Sequence, residues 1–199
     1  MRYLKTYRLF EGYQSESEVA EICKVYNIRN WSINSEGLVD VDGDVDLSFE
    51  LYNSGIKKIP LNFGKVTGNF ICKRNDLESL DGSPHEVGGD FNCEMNMLTN
   101  LKGAPQSVGG DFKSSSWSLF SLEGIGHVGG NIVISNSPCY SLYEPWVNSS
   151  NRDYLLSEME EYDFIRGNRI IWDRFESFYL DNDLYTPCES ELSEYKIEY

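Results

Sequence analysis

Short pairs of inward-type residues separated by a single position recur through the middle of the chain: Phe70/Cys72, Phe91/Cys93 and, with serine in second place, Phe112/Ser114. A period of two puts both members of a pair on one face of a short strand and the intervening residue on the other. Asn75 and Asn96 follow three residues after the cysteines, where a buried amide satisfies backbone groups at a bend. Leu77/Leu80 and Leu98/Leu101 then return to the same interior, Gly82 and Gly103 permit a turn, and Pro84 and Pro105 stiffen the way back.

This phrasing is a repeat. The pattern Pro-x-x-Val-Gly-Gly-Asp-Phe-x-(Cys/Ser) occurs at 84–93 and 105–114, with variants at 128–134 and 66–72 and a degenerate first copy at 41–47. The second glycine-type positions, Gly43, Gly68, Gly89, Gly110 and Gly130, step by 25, 21, 21 and 20 residues, and about four extra residues near 49–52 account for the long first step. The pattern predicts five stacked coils forming a solenoid with a parallel sheet, one strand per repeat. In the fourth coil Trp117 stands where the ladder asparagine belongs. In the fifth, Asn136 comes one position early and Cys139 replaces a leucine, a decay suited to ending a stack.

Helical patterns flank the array. Ser15-Glu16-Ser17-Glu18 fits a capping box, and Val19, Ile22, Cys23 and Tyr26 carry the apolar stripe of a helix over 16–27. Trp31–Ile33 and Leu38–Val41 read as a hairpin. Leu155, Met159 and Tyr162 mark a helix over 151–165 with Gly167 as its stop, and Ile171, Phe175 and Phe178 mark another over 168–180. The fold expected is α+β: a helix and hairpin cap over 1–40, a repeat solenoid over 41–146, a helical cap over 147–180, and an acidic tail over 181–199.

The repeat wording resembles the leucine-rich-repeat family, whose signature is Leu-x-x-Leu-x-Leu-x-x-Asn-x-Leu, and especially its short proline-containing bacterial type. One residue is inserted here between Val87 and Phe91, and the Gly-Gly pair has no counterpart in the general signature. The fuller phrase Leu-x-x-Leu-x-Gly-x-Pro-x-x-Val-Gly-Gly-Asp-Phe is similar to repeat proteins of large tailed phages, as are the opening 3–10 and the stretch 161–168. That resemblance implies a phage setting and, with it, the host cytoplasm.

Charge narrows the function. The formal net charge is −15, and residues 151–199 hold 13 acidic and 5 basic side chains. A chain with no basic face is unsuited to direct nucleic-acid binding, so a protein partner, with a basic surface, is expected. No apolar run reaches membrane-span length, and the opening Met1-Arg2-Tyr3-Leu4-Lys5 lacks a signal-peptide core. Both point to the cytoplasm and away from the membrane.

Candidate chemistry is sparse. Five cysteines without C-x-x-C spacing read as reduced thiols, with Cys72 and Cys93 filling the core. His85 and His127 fall in different repeat phases and read as surface or loop residues. Asp40, Asp42, Asp44 and Asp46 alternate and could line one side of a strand, but they lack the glycine and distal glutamate of a calcium loop; no metal and no cofactor is expected. The Gly-Gly pairs lack a phosphate-loop ending and read as turns needing permissive backbone geometry. No constellation marks a catalytic centre, and a non-enzymatic role is expected.

A solenoid aligns the outward residue of each strand with its counterparts. The candidate binding stripe is Asp46, Ile71, Asn92, Lys113 and Val133, flanked by Asp44, Asn69, Asp90, Asp111 and Asn131 on one side and by Lys73, Glu94 and Ser115 on the other. Trp117, Phe120, Tyr140, Tyr143 and Trp146 supply aromatics near the end of the array, as interface anchors or as core beneath the cap. The leading reading is a protein-interaction module that engages a host or phage protein, including one of a host defence; the alternative is an acidic nucleic-acid mimic.

Overall fold

A computed structural model describes residues 15–199; the expectations for 1–14, including the absence of a signal core, lie outside the described residues. The central region is a β-solenoid of five stacked coils. Each coil contributes two short strands rather than the single one expected, because the Gly-Gly step bends the chain between them. One sheet holds β1 (Trp31–Ile33), β2 (Val39–Val41), β4 (Phe63–Val66), β6 (Glu86–Val87), β8 (Ser107–Val108) and β10 (His127–Val128), in that order. The other holds β3 (Val45–Asp46), β5 (Phe70–Ile71), β7 (Phe91–Asn92), β9 (Phe112–Lys113) and β11 (Ile132–Val133). All neighbours are parallel except β1 and β2, the hairpin expected from the sequence. The returning segments bury Ile56/Ile59, Leu77/Leu80, Leu98/Leu101, Leu119/Leu122 and Cys139/Leu142 in the same interior.

The interior consists of rows running along the stack. Val41, Val66, Val87, Val108 and Val128 line the first sheet, while Val45, Phe70, Phe91, Phe112 and Ile132 line the second; all are buried. The phenylalanine rings stack between coils, with centroids 5.7 Å apart for Phe70 and Phe91 and 5.1 Å for Phe91 and Phe112. Such pairs contribute roughly 0.5–1.5 kcal/mol each beyond the area they bury. Cys72 and Cys93 are fully buried, and desolvation pushes the Cys93 thiol up to about 12 and that of Cys72 well above its ordinary value.

The corner between the sheets explains the Gly-Gly-Asp wording. Three successive N–H groups point toward the preceding coil. Gly88 N–H donates to Val66 O and Gly89 N–H to Gly68 O, both at 2.9 Å. The third, on Asp90, finds the side chain of Asn69 at 2.7 Å. The same bond recurs from Asn69 to Asp44 Oδ1 (2.6 Å), Asp111 to Asp90 Oδ1 (2.9 Å) and Asn131 to Asp111 Oδ1 (2.9 Å). A carbonyl-type oxygen on a short side chain serves each corner, satisfying an N–H that is partly buried at the Asp90 and Asp111 corners; such a bond contributes about 0.5–1.5 kcal/mol net. The glycines serve proximity: a Cβ at Gly68, Gly89, Gly110 or Gly130 would lie under 3.0 Å from that side-chain oxygen, and one at Gly88, Gly109 or Gly129 under 3.0 Å from a backbone carbonyl oxygen of the coil before. Among the corner glycines Gly43 alone has positive φ (129°); elsewhere in the array positive φ belongs to turn glycines such as Gly82 (92°) and Gly103 (83°).

A second ladder stands at the opposite bend. Asn96 Oδ1 accepts the N–H groups of Asn75 and Leu77 (both 3.0 Å), and its amide donates to Cys72 O (3.0 Å) and Cys93 O (2.9 Å). In the fourth coil this role passes to Ser116, not to the position of Trp117: Ser116 Oγ donates to Asn96 O (2.7 Å) and its N–H donates to Ser137 Oγ (3.0 Å). The coil is one residue short at this bend, which accounts for the 20-residue step and displaces Trp117 outward. Ser137, rather than Asn136, is the ladder residue of the fifth coil.

Both ends are closed. Helix α1 (Glu16–Val25) begins at the expected capping box on Ser15 and buries Val19, Ile22 and Cys23. After β11 come α2 (Tyr140–Tyr143) and α3 (Arg152–Tyr162). Helix α3 stops at Asp163, which takes left-handed φ of 46°; Gly167 instead turns a hairpin of β12 (Ile165–Arg166) and β13 (Arg169–Ile171), so α4 begins only at Trp172 and runs to Asp181. The tail folds as well: a 3₁₀ turn at Glu189–Leu192 leads to β14 (Lys196–Glu198), parallel to β13. Tyr195 is buried, and its hydroxyl donates to Phe120 O.

Gly109→Ala is expected to destabilise the fold by more than about 2 kcal/mol in urea unfolding, since the new methyl meets backbone that cannot move alone. Asp111→Ala should cost about 0.5–1.5 kcal/mol by removing the acceptor of the Asn131 N–H, whereas Asp111→Asn, which keeps the acceptor, should cost less than about half that.

Candidate docking surface

The second sheet presents the expected outward stripe. Sheet register aligns Asp46, Ile71, Asn92, Lys113 and Val133 on neighbouring coils, with Lys73, Glu94 and Ser115 two residues further along their coils. These side chains are exposed or half-buried. The other flank serves the fold itself, since Asp44, Asn69, Asp90 and Asp111 hold the corner N–H groups and Asn131 ends that ladder. Lys113 Nζ lies 2.7 Å from Asp90 Oδ2 and 3.8 Å from Asp111 Oδ2. Its hydrogen bond, followed by the one from the Asp111 N–H, lowers the pKa of Asp90, and the Asp90 bond in turn raises that of Lys113. Asn92 folds onto Glu94, its Oδ1 accepting the Glu94 N–H at 3.1 Å and its Nδ2 donating to Glu94 Oε2 at 3.0 Å.

Beyond this face, at the bend that follows it, stands a row that the repeat pattern alone does not reveal. Phe49, Arg74 and Met95 occupy equivalent positions and all adopt left-handed backbone, with φ of 62°, 60° and 55°. That conformation costs a bulky L-residue roughly 1–2 kcal/mol. Asn136, at the same place in the fifth coil with φ of 61°, is the residue type that adopts it most readily. Phe49 and Met95 are more than half exposed. The Arg74 guanidinium carbon lies 5.1 Å from the Phe49 ring centroid, and Arg74 Nε lies 3.0 Å from Met95 Sδ. Met97 follows at 54% exposure, and Trp117, displaced by the shortened coil, at 90%. Of the aromatics weighed as anchors, Trp117 and Tyr140 are exposed, Phe120 is half-buried, and Tyr143 and Trp146 are buried beneath the cap. A run of large residues two positions beyond the inward pair is the signal that the sequence carries for this row; their backbone conformation is not legible there.

The four alternating aspartates do not share a strand face. They span β2, the Gly43 corner and β3, and each is committed: Asp40 Oδ1 accepts Lys65 N–H (2.8 Å), Asp42 Oδ1 accepts the Thr67 hydroxyl (3.0 Å), Asp44 Oδ1 accepts Asn69 N–H, and Asp46 Oδ1 accepts Ser48 N–H (2.9 Å). Among the described residues no group of three or more His, Cys, Asp or Glu is arranged to hold a metal ion, and no helix is long and apolar enough to cross a membrane.

A cleft of about 810 Å³ separates the last coils from α3 and β12. Within it His127, exposed on β10, lies 2.9 Å through Nδ1 from Asp153 Oδ2, and Arg152 Nε lies 3.0 Å from Asp153 Oδ1. The lining hydroxyls are engaged elsewhere: Ser157 donates to Tyr154 O (2.7 Å), and Ser121 accepts the Glu123 N–H (3.0 Å). The cations of the cleft are paired with its carboxylates, Lys102 with Glu123 at 2.8 Å and Arg166 with Asp163 at 2.7 Å. The groove reads as a charge-laced seam between array and cap. No family model, curated protein or solved structure matches this chain.

Met95→Asn is expected to stabilise the protein by about 0.5–1 kcal/mol in urea unfolding, because asparagine tolerates the left-handed backbone that methionine resists. Of the five thiols, only Cys188 is exposed; titration with a chromogenic disulfide should therefore report one fast-reacting cysteine in the native state and all five after unfolding.

Proposed function

We propose that the protein is a non-enzymatic docking module that engages another protein through the outward face of its second sheet and the bend beside it. One observation carries this reading: large side chains stand exposed at and beside bend positions where the coil geometry favours asparagine or glycine. Phe49 and Met95 hold left-handed backbone there, Trp117 stands beside that row, and all three leave apolar surface in water, a pattern that marks interaction sites on folded proteins. The flat, aligned stripe of Ile71, Asn92, Lys113 and Val133 supplies the adjoining area.

The wording of the repeats, similar to that of phage-encoded repeat proteins, supports placing the partner among host or phage proteins of the infected cytoplasm. The acidic balance favours a partner with a basic surface.

The test is affinity capture from host cells, comparing the wild-type chain with Ile71→Glu/Val133→Glu and with Phe49→Asn/Met95→Asn/Trp117→Ser, each variant first shown to unfold at or above the wild-type urea midpoint. Capture of one protein reduced at least tenfold by either variant is the expected result. Capture indifferent to both would refute the docking role of this surface.

A further inference from the structure

The bend row has a chemistry of its own. Phe49, Arg74 and Met95 are bound to one another along the stack, with Arg74 over the Phe49 ring and against the Met95 sulfur. Met97 and Trp117 widen the patch to on the order of 500 Å² of exposed, largely apolar surface, the size of the largest patch on an ordinary monomer, which is often functional. Methionine and tryptophan dominate its outer part. Unbranched thioethers reshape themselves around differing partners, while tryptophan anchors through area with little loss of rotamer freedom.

Carboxylates flank the patch along the chain. Asp46 and Glu50 stand on either side of Phe49 in the chain, Asp76 two residues beyond Arg74, and Glu94 immediately before Met95. None of these four is in an ion pair among the described residues; Asp46 and Glu94 hold neutral hydrogen bonds with Ser48 and Asn92. Against them stand Lys73 and Arg74; Lys57, whose Nζ reaches Asp76 O at 3.4 Å, and Lys113, beside Glu94, are already paired with Glu78 and Asp90. The sign of this rim decides between occupants. A second copy of the chain would bring a like rim, and a net charge of −15, onto the first, a juxtaposition that opposes association. A partner with an apolar stripe bordered by lysine and arginine meets both the patch and its rim.

We infer that the Phe49–Arg74–Met95–Met97–Trp117 patch binds a basic amphipathic helix of the partner protein, the helix laying its apolar stripe on the methionines and Trp117 while its cations reach the surrounding carboxylates. Apolar residues one turn apart on a helix are spaced about 5–6 Å, close to the roughly 4.8 Å rise between coils, so successive helix turns find successive members of the row. This rests on the reading of the protein as a docking module and names the chemistry of its partner.

The probe is a synthetic Leu/Lys peptide of about 18 residues, or five turns, with its leucines on one helical face, set against a scramble of the same composition that spreads them around. Trp117 is 90% exposed, whereas Trp31 and Trp172 are half-buried and Trp146 is buried, so tryptophan emission reports the patch directly. The amphipathic peptide is expected to shift the emission to the blue and to bind at least tenfold more tightly than the scramble. The shift should vanish in Trp117→Ser, and calorimetric affinity should fall at least tenfold in Met95→Asn/Trp117→Ser but less than twofold in Ile71→Glu/Val133→Glu. Equal affinity for the two peptides, or affinity indifferent to the patch variants, would overturn the proposal by showing attraction to diffuse charge alone. In the capture experiment above, a partner lost only by the strand-face variant would leave the docking role intact and sink this assignment; a partner lost by neither would sink both.

Discussion

Every coil is held to the next by the same small event at the corner between the two sheets. The backbone bends sharply enough that three consecutive N–H groups face backward, and only two main-chain oxygens are there to receive them. The third acceptor is a side-chain oxygen of the preceding coil, and it reaches its donor only because no Cβ stands in the way. Glycine and the aspartate or asparagine are thus two halves of one contact. Since that contact repeats with fixed geometry, it also fixes the registration of the valine and phenylalanine rows within and of the exposed stripe without. The outer surface inherits its alignment from an interlock at the rim.

This interlock shows why the rhythm of the chain was legible and its finer geometry was not. Inward Phe/Cys pairs, leucine returns and turn glycines follow from alternation and spacing, and the coils, the N-terminal hairpin and the capping box at Ser15 stand where the pattern puts them. The break into two sheets was hidden because Val-Gly-Gly-Asp-Phe reads as one extended segment until a neighbouring coil presses against it. The hairpin at Gly167 was hidden for a related reason: Ile165, Ile170 and Ile171 satisfy a helical stripe about as well as a strand face, and the pairing that decides between them comes from Lys196–Glu198 at the far end of the chain.

Trp117 illustrates a subtler failure. Aligning it with Asn75 and Asn96 by counting 21 residues assumes that every coil is equally long. The fourth is not, and the deletion falls before the tryptophan, so a side chain assigned to an internal ladder stands in solvent while two serines carry the ladder on. The surface consequence is large, since one missing backbone unit puts an indole at the position equivalent to Met97 on the next coil. The bend itself could not be foreseen, because a left-handed conformation at Phe49, Arg74 and Met95 contradicts their local preference and is imposed by the coils on either side.

The stack ends by side chains that imitate backbone. Beyond the fifth coil, the Asn148 amide accepts the Ile132 N–H at 2.8 Å and donates to its carbonyl at 3.2 Å, while the Arg152 guanidinium donates to the Val128 and Gly130 carbonyls. At the other end, the first sheet is finished by its antiparallel strand, β1. Such termini are specific to their places and cannot serve an interior coil. A lineage that lengthened this array would therefore have to splice whole turns between existing ones, each adding a step to both ladders and a row to the outer face, while the two ends stayed as they are.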